Sequence, residues 1–139
     1  MRIRPLWNPA KRSAKDSKPA DRGTTAERNA ENYLLGQGLT LERRNFRCKV
    51  GEIDLVMRDG PVYVFVEVRY RKHARFGLPA ETVDKTKQKK LLRAAQYFLQ
   101  NKGLFDKVPC RFDVVTIVGE DHRSPPLIDW IENAFSLEY

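Results

Sequence analysis

Acidic residues are the scarcer charge in this chain, and cysteine, internal repeats and long apolar runs are scarcer still. The two cysteines, Cys48 and Cys110, lie too far apart in sequence for a metal knuckle, and in a chain without a secretory signal such a pair reads as reduced thiols. A cytoplasmic location is therefore expected. No apolar run approaches a membrane span, and the N-terminus lacks the apolar core of a signal peptide, so no membrane partner is expected. Without a repeat, the 139 residues read as one domain, and a hydrophobic content of 41% is enough for a single core.

The deficit of acids leaves a net charge of +8, of which residues 1–23 carry +5 through seven basic residues against Asp16 and Asp21. That segment has little periodicity and reads as a disordered basic arm ahead of a domain over 24–139. Alone, such an arm is more often a solubilising tail than a phosphate-binding element.

What the chain does contain is carboxylates set into apolar strands: Gly51-Glu52-Ile53-Asp54-Leu55-Val56, a turn, then Val64-Phe65-Val66-Glu67-Val68-Arg69. Burying a carboxylate is costly unless a cation compensates it. Period-two alternation puts Glu52 and Asp54 on one face with Ile53 and Leu55 on the other, and sets Glu67 and Arg69 against Val66 and Val68. A hairpin turn at Asp59-Gly60 would pair Arg58 with Pro61, Glu52 with Glu67 and Asp54 with Phe65, all on a single face. Pro61 has no N–H for that closing pair, but a four-residue loop over 58–61 keeps the same pairing. Asp54 and Glu67 then become diagonal neighbours with Cβ atoms roughly 7 Å apart, a spacing that suits one divalent ion. The plainer reading is a solvent-facing hairpin that merely carries charge. Against it stand the directly opposed Glu52 and Glu67 and the apolar neighbours of the acids, Phe65 above all.

Along the chain, Thr24-Thr25-Ala26-Glu27 reads as a capping box opening a helix with the stripe Ala26, Ala30, Tyr33 and Leu34, ending near Gly36 or Gly38. Strands are expected over 42–49, 52–58 and 62–71, and a helix over 84–101 stopped at Gly103. Gln88 falls within that helix's apolar arc of Leu91, Leu92, Ala95, Phe98 and Leu99 and needs a partner, either at the sheet or in the core. A strand over 110–118 follows, and the tail around Trp130 is either a strand or a helical turn. Arg69, Arg71, Lys72, His73 and Arg75, then Lys85, Lys87, Lys89, Lys90 and Arg93, form two cationic clusters after the acidic hairpin. A cationic surface around an anionic centre is what a metal-dependent enzyme acting on a phosphodiester backbone requires.

Glu27 with Ala30, Tyr33-Leu34, Gly38, Asn45, GEIDLV, VFVEVRYR, FGLPAETV with its Lys-rich helix, RFDVV and the closing ENAF resemble the YraN family of bacterial proteins over residues 24–135. That family is similar in fold to restriction-endonuclease-like nucleases, including Holliday junction resolvases. The resemblance implies an α/β fold with a mixed sheet flanked by helices and a Mg²⁺- or Mn²⁺-dependent site cutting DNA, with branched or distorted DNA as the expected substrate. The implied metal ligands are Asp54, Glu67 and Glu27, and Arg69 completes the catalytic set. Arg71, Lys72, Arg75, Lys85 and Lys89 would contact nucleic acid, with Glu52 and Gln88 as second-rank candidates for orienting water or substrate. Resolvase-like relatives suggest a homodimer. Nucleases of this fold usually carry lysine where this chain has Arg69, and a guanidinium stays protonated, so it can stabilise charge but not act as a base. The competing reading is a module that grips nucleic acid without cutting it.

Overall fold

The computed structural model describes residues 22–71, 83–119 and 125–135. Its elements are helix α1 (Arg22–Gly36), strands β1 (Thr40–Cys48), β2 (Gly51–Asp59) and β3 (Val62–Arg71), helix α2 (Lys85–Asn101), and strands β4 (Cys110–Val118) and β5 (Leu127–Phe135). The basic arm, apart from Arg22 and Gly23, lies outside the described residues, as do Lys72, His73, Arg75 and the Phe76–Pro79 loop.

Ala26, Ala30 and Leu34 recur at helical spacing and are fully buried, which fixes the inner stripe of α1. The helix begins at Arg22, two residues ahead of the expected start at Thr24. Beyond its end, Gly38 at φ +100 lets the Leu39 N–H reach back to the Leu34 carbonyl (3.1 Å). Helix α2 opens on Asp84, whose carboxylate accepts from the Lys87 N–H (2.8 Å), and closes at Gly103 with φ +69.

The strands form one mixed sheet in the order β1-β2-β3-β4-β5, antiparallel throughout except for the parallel β3–β4 pair that α2 connects. The tail is thus a strand. Helix α2 covers one face through Phe98, which meets Phe46 and Phe65 edge-on, with Ile53, Val56, Phe112 and Val114 in the same cluster. Helix α1 covers the other face over Leu55, Met57, Val64, Val66, Val115 and Ile117. Apolar cover on both sides explains why β3 and β4 read as nearly continuous hydrophobic runs. The outcome is the α/β, helix-flanked mixed sheet that the resemblance implied. Among the described residues no helix is long and apolar enough to cross a membrane.

The β2–β3 hairpin departs from expectation by two residues of register. Asp59 pairs with Val62 and Arg58 with Tyr63, leaving Gly60-Pro61 as the loop. Gly60 takes φ +59, and Pro61 sits where its missing N–H costs nothing. The parity of the loop is kept, but Glu52 no longer opposes Glu67, nor Asp54 Phe65.

Two ion pairs with buried carboxylates brace the fold, one between helix and sheet and one within β4 whose aspartate also bonds β5. Glu31 on α1 accepts from Arg44 on β1 at both oxygens (2.6 and 2.8 Å). On β4, Asp113 accepts from Arg111 Nε (3.0 Å), from Trp130 Nε1 (2.9 Å) and from the Asn133 N–H (2.9 Å), where β5 bulges with Asn133 at φ 53. Replacing Asp113 by alanine leaves Arg111 only the exposed carboxylates of Asp59 and Glu132 and takes the acceptor from Trp130 Nε1 and that backbone N–H, and should cost about 3 kcal/mol in urea unfolding. Asp59→Ala, at the half-exposed end of the same network, should cost under about 1 kcal/mol. Equal losses for the two variants would contradict the packing account.

Candidate functional site

The sheet forks between β2 and β3. Their ladder runs from Asp59↔Val62 to Leu55↔Val66 and stops, while β2 stays paired with β1 as far as Gly51 and β3 stays paired with β4 as far as Arg71. Beyond the fork, β3 still presents backbone N–H groups toward the β2 side. The Val68 N–H donates to Asp54 Oδ2 at 2.8 Å, so a carboxylate takes the place of a strand carbonyl.

Asp54 reaches that position because the strand alternation breaks around it. Ile53 packs in the α2-side cluster and Leu55 in the α1-side cluster, so the two do not share a face as strict alternation would require. The β1–β2 register sets Asp54 level with Asn45, which adopts φ 48. On β1 the faces switch at the same level, for Arg44 reaches α1 while Phe46 packs under α2. The Asp54 side chain accordingly lies in the gap of the sheet and not on the single acidic face that was expected. Glu67 alternates with Tyr63 and Phe65 onto the α2 side, where Lys87 Nζ lies 3.5 Å from its Oε2. Continuing the β2–β3 register beyond its last pair brings Glu67 level with Asp54.

Electrostatically the gap is unfavourable to negative charge. Burial above all, then the neighbouring Glu67 and more weakly Glu27 from α1, push the Asp54 carboxyl from its ordinary 3.8 up to about 7, against the opposing pull of the Val68 N–H and Lys87. Carboxylates from two other elements therefore act on Asp54, and a cation placed beside it would relieve that repulsion. Asp54 and Glu67 supply hard oxygen donors of the kind Mg²⁺ and Mn²⁺ take. Among the described residues no three acidic, histidine or cysteine side chains are arranged to enclose an ion. The donor set thus fits an ion held by two carboxylates that keeps several waters, as Mg²⁺ usually does, with Glu27 adding negative charge that acts on Asp54.

The family model described as "Uncharacterised protein family UPF0102" matches residues 26–117. The chain belongs to the UPF0102 family. This is the family that the YraN resemblance named. The chain is 52% identical over 117 residues to a UPF0102 protein of Pseudomonas putida, covering 84% of this chain and 94% of that one. A UPF0102 protein of Pseudomonas entomophila is 51% identical over 120 residues (86% and 97% of the two chains), and one of Pseudomonas aeruginosa 48% over 115 (83% and 92%). The stretch matched by the UPF0102 model contains Glu27, Asp54, Glu67, Arg69 and Lys87.

Within this UPF0102 fold the other expected residues scatter. Arg69 stands two residues beyond Glu67 on β3, level with Thr116 of β4. Arg71 is half-buried at the strand end, while Lys85 and Lys89 are exposed one helical turn apart on α2. Lys72 and Arg75 lie outside the described residues. Glu52 is not at the gap, since its exposed carboxylate pairs with Arg47 on β1 (3.2 Å). Gln88 donates to the Val83 carbonyl (2.6 Å) beside the start of α2, which gives it the hydrogen-bonded partner its position demanded. Sequence reasoning singled out neither Lys87 nor Asp113. Asp113 did carry a signal, an acid inside an apolar strand with Arg111 two residues away on the same face. Lys87 carried none beyond membership of a cationic run.

The raised Asp54 has a measurable consequence for stability. Unfolded Asp54 loses its proton near pH 4 and the folded form near pH 7, so between them the folded state binds more protons and stability falls as pH rises. The fall attributable to this group is on the order of 4 kcal/mol. Urea unfolding of the wild type and of Asp54→Asn should therefore diverge progressively in favour of the asparagine variant from about pH 4 to about pH 7, and run parallel above it. A constant difference across that range would contradict the burial of a poorly compensated carboxylate.

Proposed function

We propose that the protein is a metal-dependent endonuclease that hydrolyses DNA phosphodiester bonds, with branched or distorted DNA as its substrate. The observation that carries this reading is Asp54 beside Glu67 in the β2–β3 gap, two hard oxygen donors in a position whose electrostatics call for a cation. Asp54 and Glu67 would hold Mg²⁺ or Mn²⁺, which would supply polarisation of a phosphoryl oxygen and neutralise developing charge. Glu27 orients water from the α1 side. Arg69, always protonated, stabilises charge that builds on the phosphate in the transition state. Exposed Lys85 and Lys89, with Arg71 at the strand end, grip the backbone on either side, and the basic N-terminal residues add salt-sensitive attraction. A cytoplasmic setting agrees with two free cysteines, and a homodimer would bring one site to each strand.

A second reading, a nucleic-acid-binding module that does not cut, is favoured by one specific feature. Arg69 stands where related nucleases carry lysine and cannot release a proton. The acids argue the other way, because negative charge beside a phosphate site weakens simple binding.

Cleavage of linear, nicked, flapped and four-way DNA with and without Mn²⁺ separates the two. In the nuclease, Asp54→Asn and Glu67→Gln each lower metal-dependent cleavage by orders of magnitude while DNA binding persists or strengthens. Arg69→Lys keeps or raises activity, and Arg69→Ala lowers it about 10²-fold. DNA binding without cleavage of any form, in Mg²⁺ or Mn²⁺, would establish the module instead.

A further inference from the structure

Lys87 is the lysine that α2 delivers to the carboxylate gap. Its backbone is pinned by the N-cap, because its N–H donates to Asp84 Oδ1 (2.8 Å). The long side chain extends from that fixed point across to Glu67, where Nζ and Oε2 are 3.5 Å apart. The two partners differ in environment. The Lys87 side chain keeps 41% of its exposure, whereas Glu67 keeps only 11%. A pair with one wet and flexible partner at that distance is a weak one, easily exchanged for a stronger cation.

We propose that Lys87 is the resident counter-cation of the site, one that yields Glu67 to an arriving divalent ion and then serves the phosphate. This inference rests on the metal-dependent reading above and deepens it. A divalent ion held by Asp54 and Glu67 carries twice the charge of the ammonium and repels it, so the two cations compete for the same carboxylate oxygens. Once displaced, the ammonium does not leave the neighbourhood, since the Asp84 cap holds its Cα at the edge of the gap. Its exposed head is then a compact, strongly hydrated point charge within reach of a phosphodiester oxygen. Lys87 supplies by this route the mobile ammonium that Arg69, two residues beyond Glu67 on β3, does not provide. In this account it is a positioning and charge-balancing residue, and no proton transfer is asked of it.

The test uses the full-length chain and two readouts, Mn²⁺ affinity by calorimetry and affinity for a short 5′-phosphorylated oligonucleotide at saturating Mn²⁺. Lys87→Met should bind Mn²⁺ about three- to tenfold more tightly, because the competing cation is gone, and should bind the oligonucleotide about three- to tenfold more weakly. Lys87→Arg, which retains a cation on the same stem, should stay near wild type in both and guards against misfolding of the methionine variant. Unchanged or weaker Mn²⁺ affinity in Lys87→Met, or unchanged oligonucleotide affinity, overturns the inference. If Asp54→Asn still abolishes Mn²⁺ binding in that case, the metal-dependent reading survives without it. Absence of Mn²⁺ binding by the wild type at millimolar concentrations overturns both together.

Discussion

The hydrogen bond from the Val68 N–H to the Asp54 carboxylate is the contact on which the candidate site depends, because it lets β2 and β3 part without leaving a strand donor unpaired. The same device appears once more in the sheet. At the β4–β5 bulge, Asp113 accepts the Asn133 N–H in the same way. The two aspartates differ in what else surrounds them. Asp113 is neutralised by the Arg111 guanidinium and further bonded by Trp130, so every lone pair has a donor nearby. Among the described residues Asp54 has Glu67 and Glu27 acting to raise its pKa, opposed by the Val68 N–H and the half-exposed Lys87. One buried carboxylate is structural and complete, and the other is left wanting a cation.

The rest of the architecture keeps that gap open. Phe98 of α2 anchors against Phe46 and Phe65 on one face, and Leu34 of α1 lies in the cluster with Leu55 and Val66 on the other, so the paired half of the β2–β3 hairpin is clamped from both sides. The Glu31–Arg44 bridge fixes α1 to β1 and so sets the distance at which Glu27, one turn earlier on the same helix, acts on Asp54. The parallel β3–β4 connection forces α2 across the α2-side face, and this is what brings Lys87 to Glu67.

Much of this was legible in the sequence where composition and period speak locally. The bounds of β3 and β4 coincide with their apolar runs, and α2 spans its wheel of Leu91, Ala95, Phe98 and Leu99 between an aspartate cap and a glycine stop. The hairpin register was misplaced because the Asp-Gly signal outweighed the backbone chemistry of Pro61, whose missing N–H belongs inside the loop and not in the closing pair. Strict alternation failed at Asp54 for a related reason. Asparagine tolerates the left-handed region better than most residues, and Asn45 at φ 48 marks where the alternation of two strands resets together. The pairing of Glu52 with Arg47 and of Lys87 with Glu67 depends on which elements neighbour one another, which no local pattern contains.

The central claim is that a divalent cation belongs in the β2–β3 gap beside Asp54. Paramagnetic broadening by substoichiometric Mn²⁺ in the amide spectrum of the ¹⁵N-labelled protein tests it most directly, since the Val68 N–H is itself bonded to the proposed ligand. The account predicts that the Val68 resonance and those of its neighbours on β3 broaden first, and that Asp54→Asn removes the effect. Broadening centred elsewhere, or unchanged in Asp54→Asn, would contradict it.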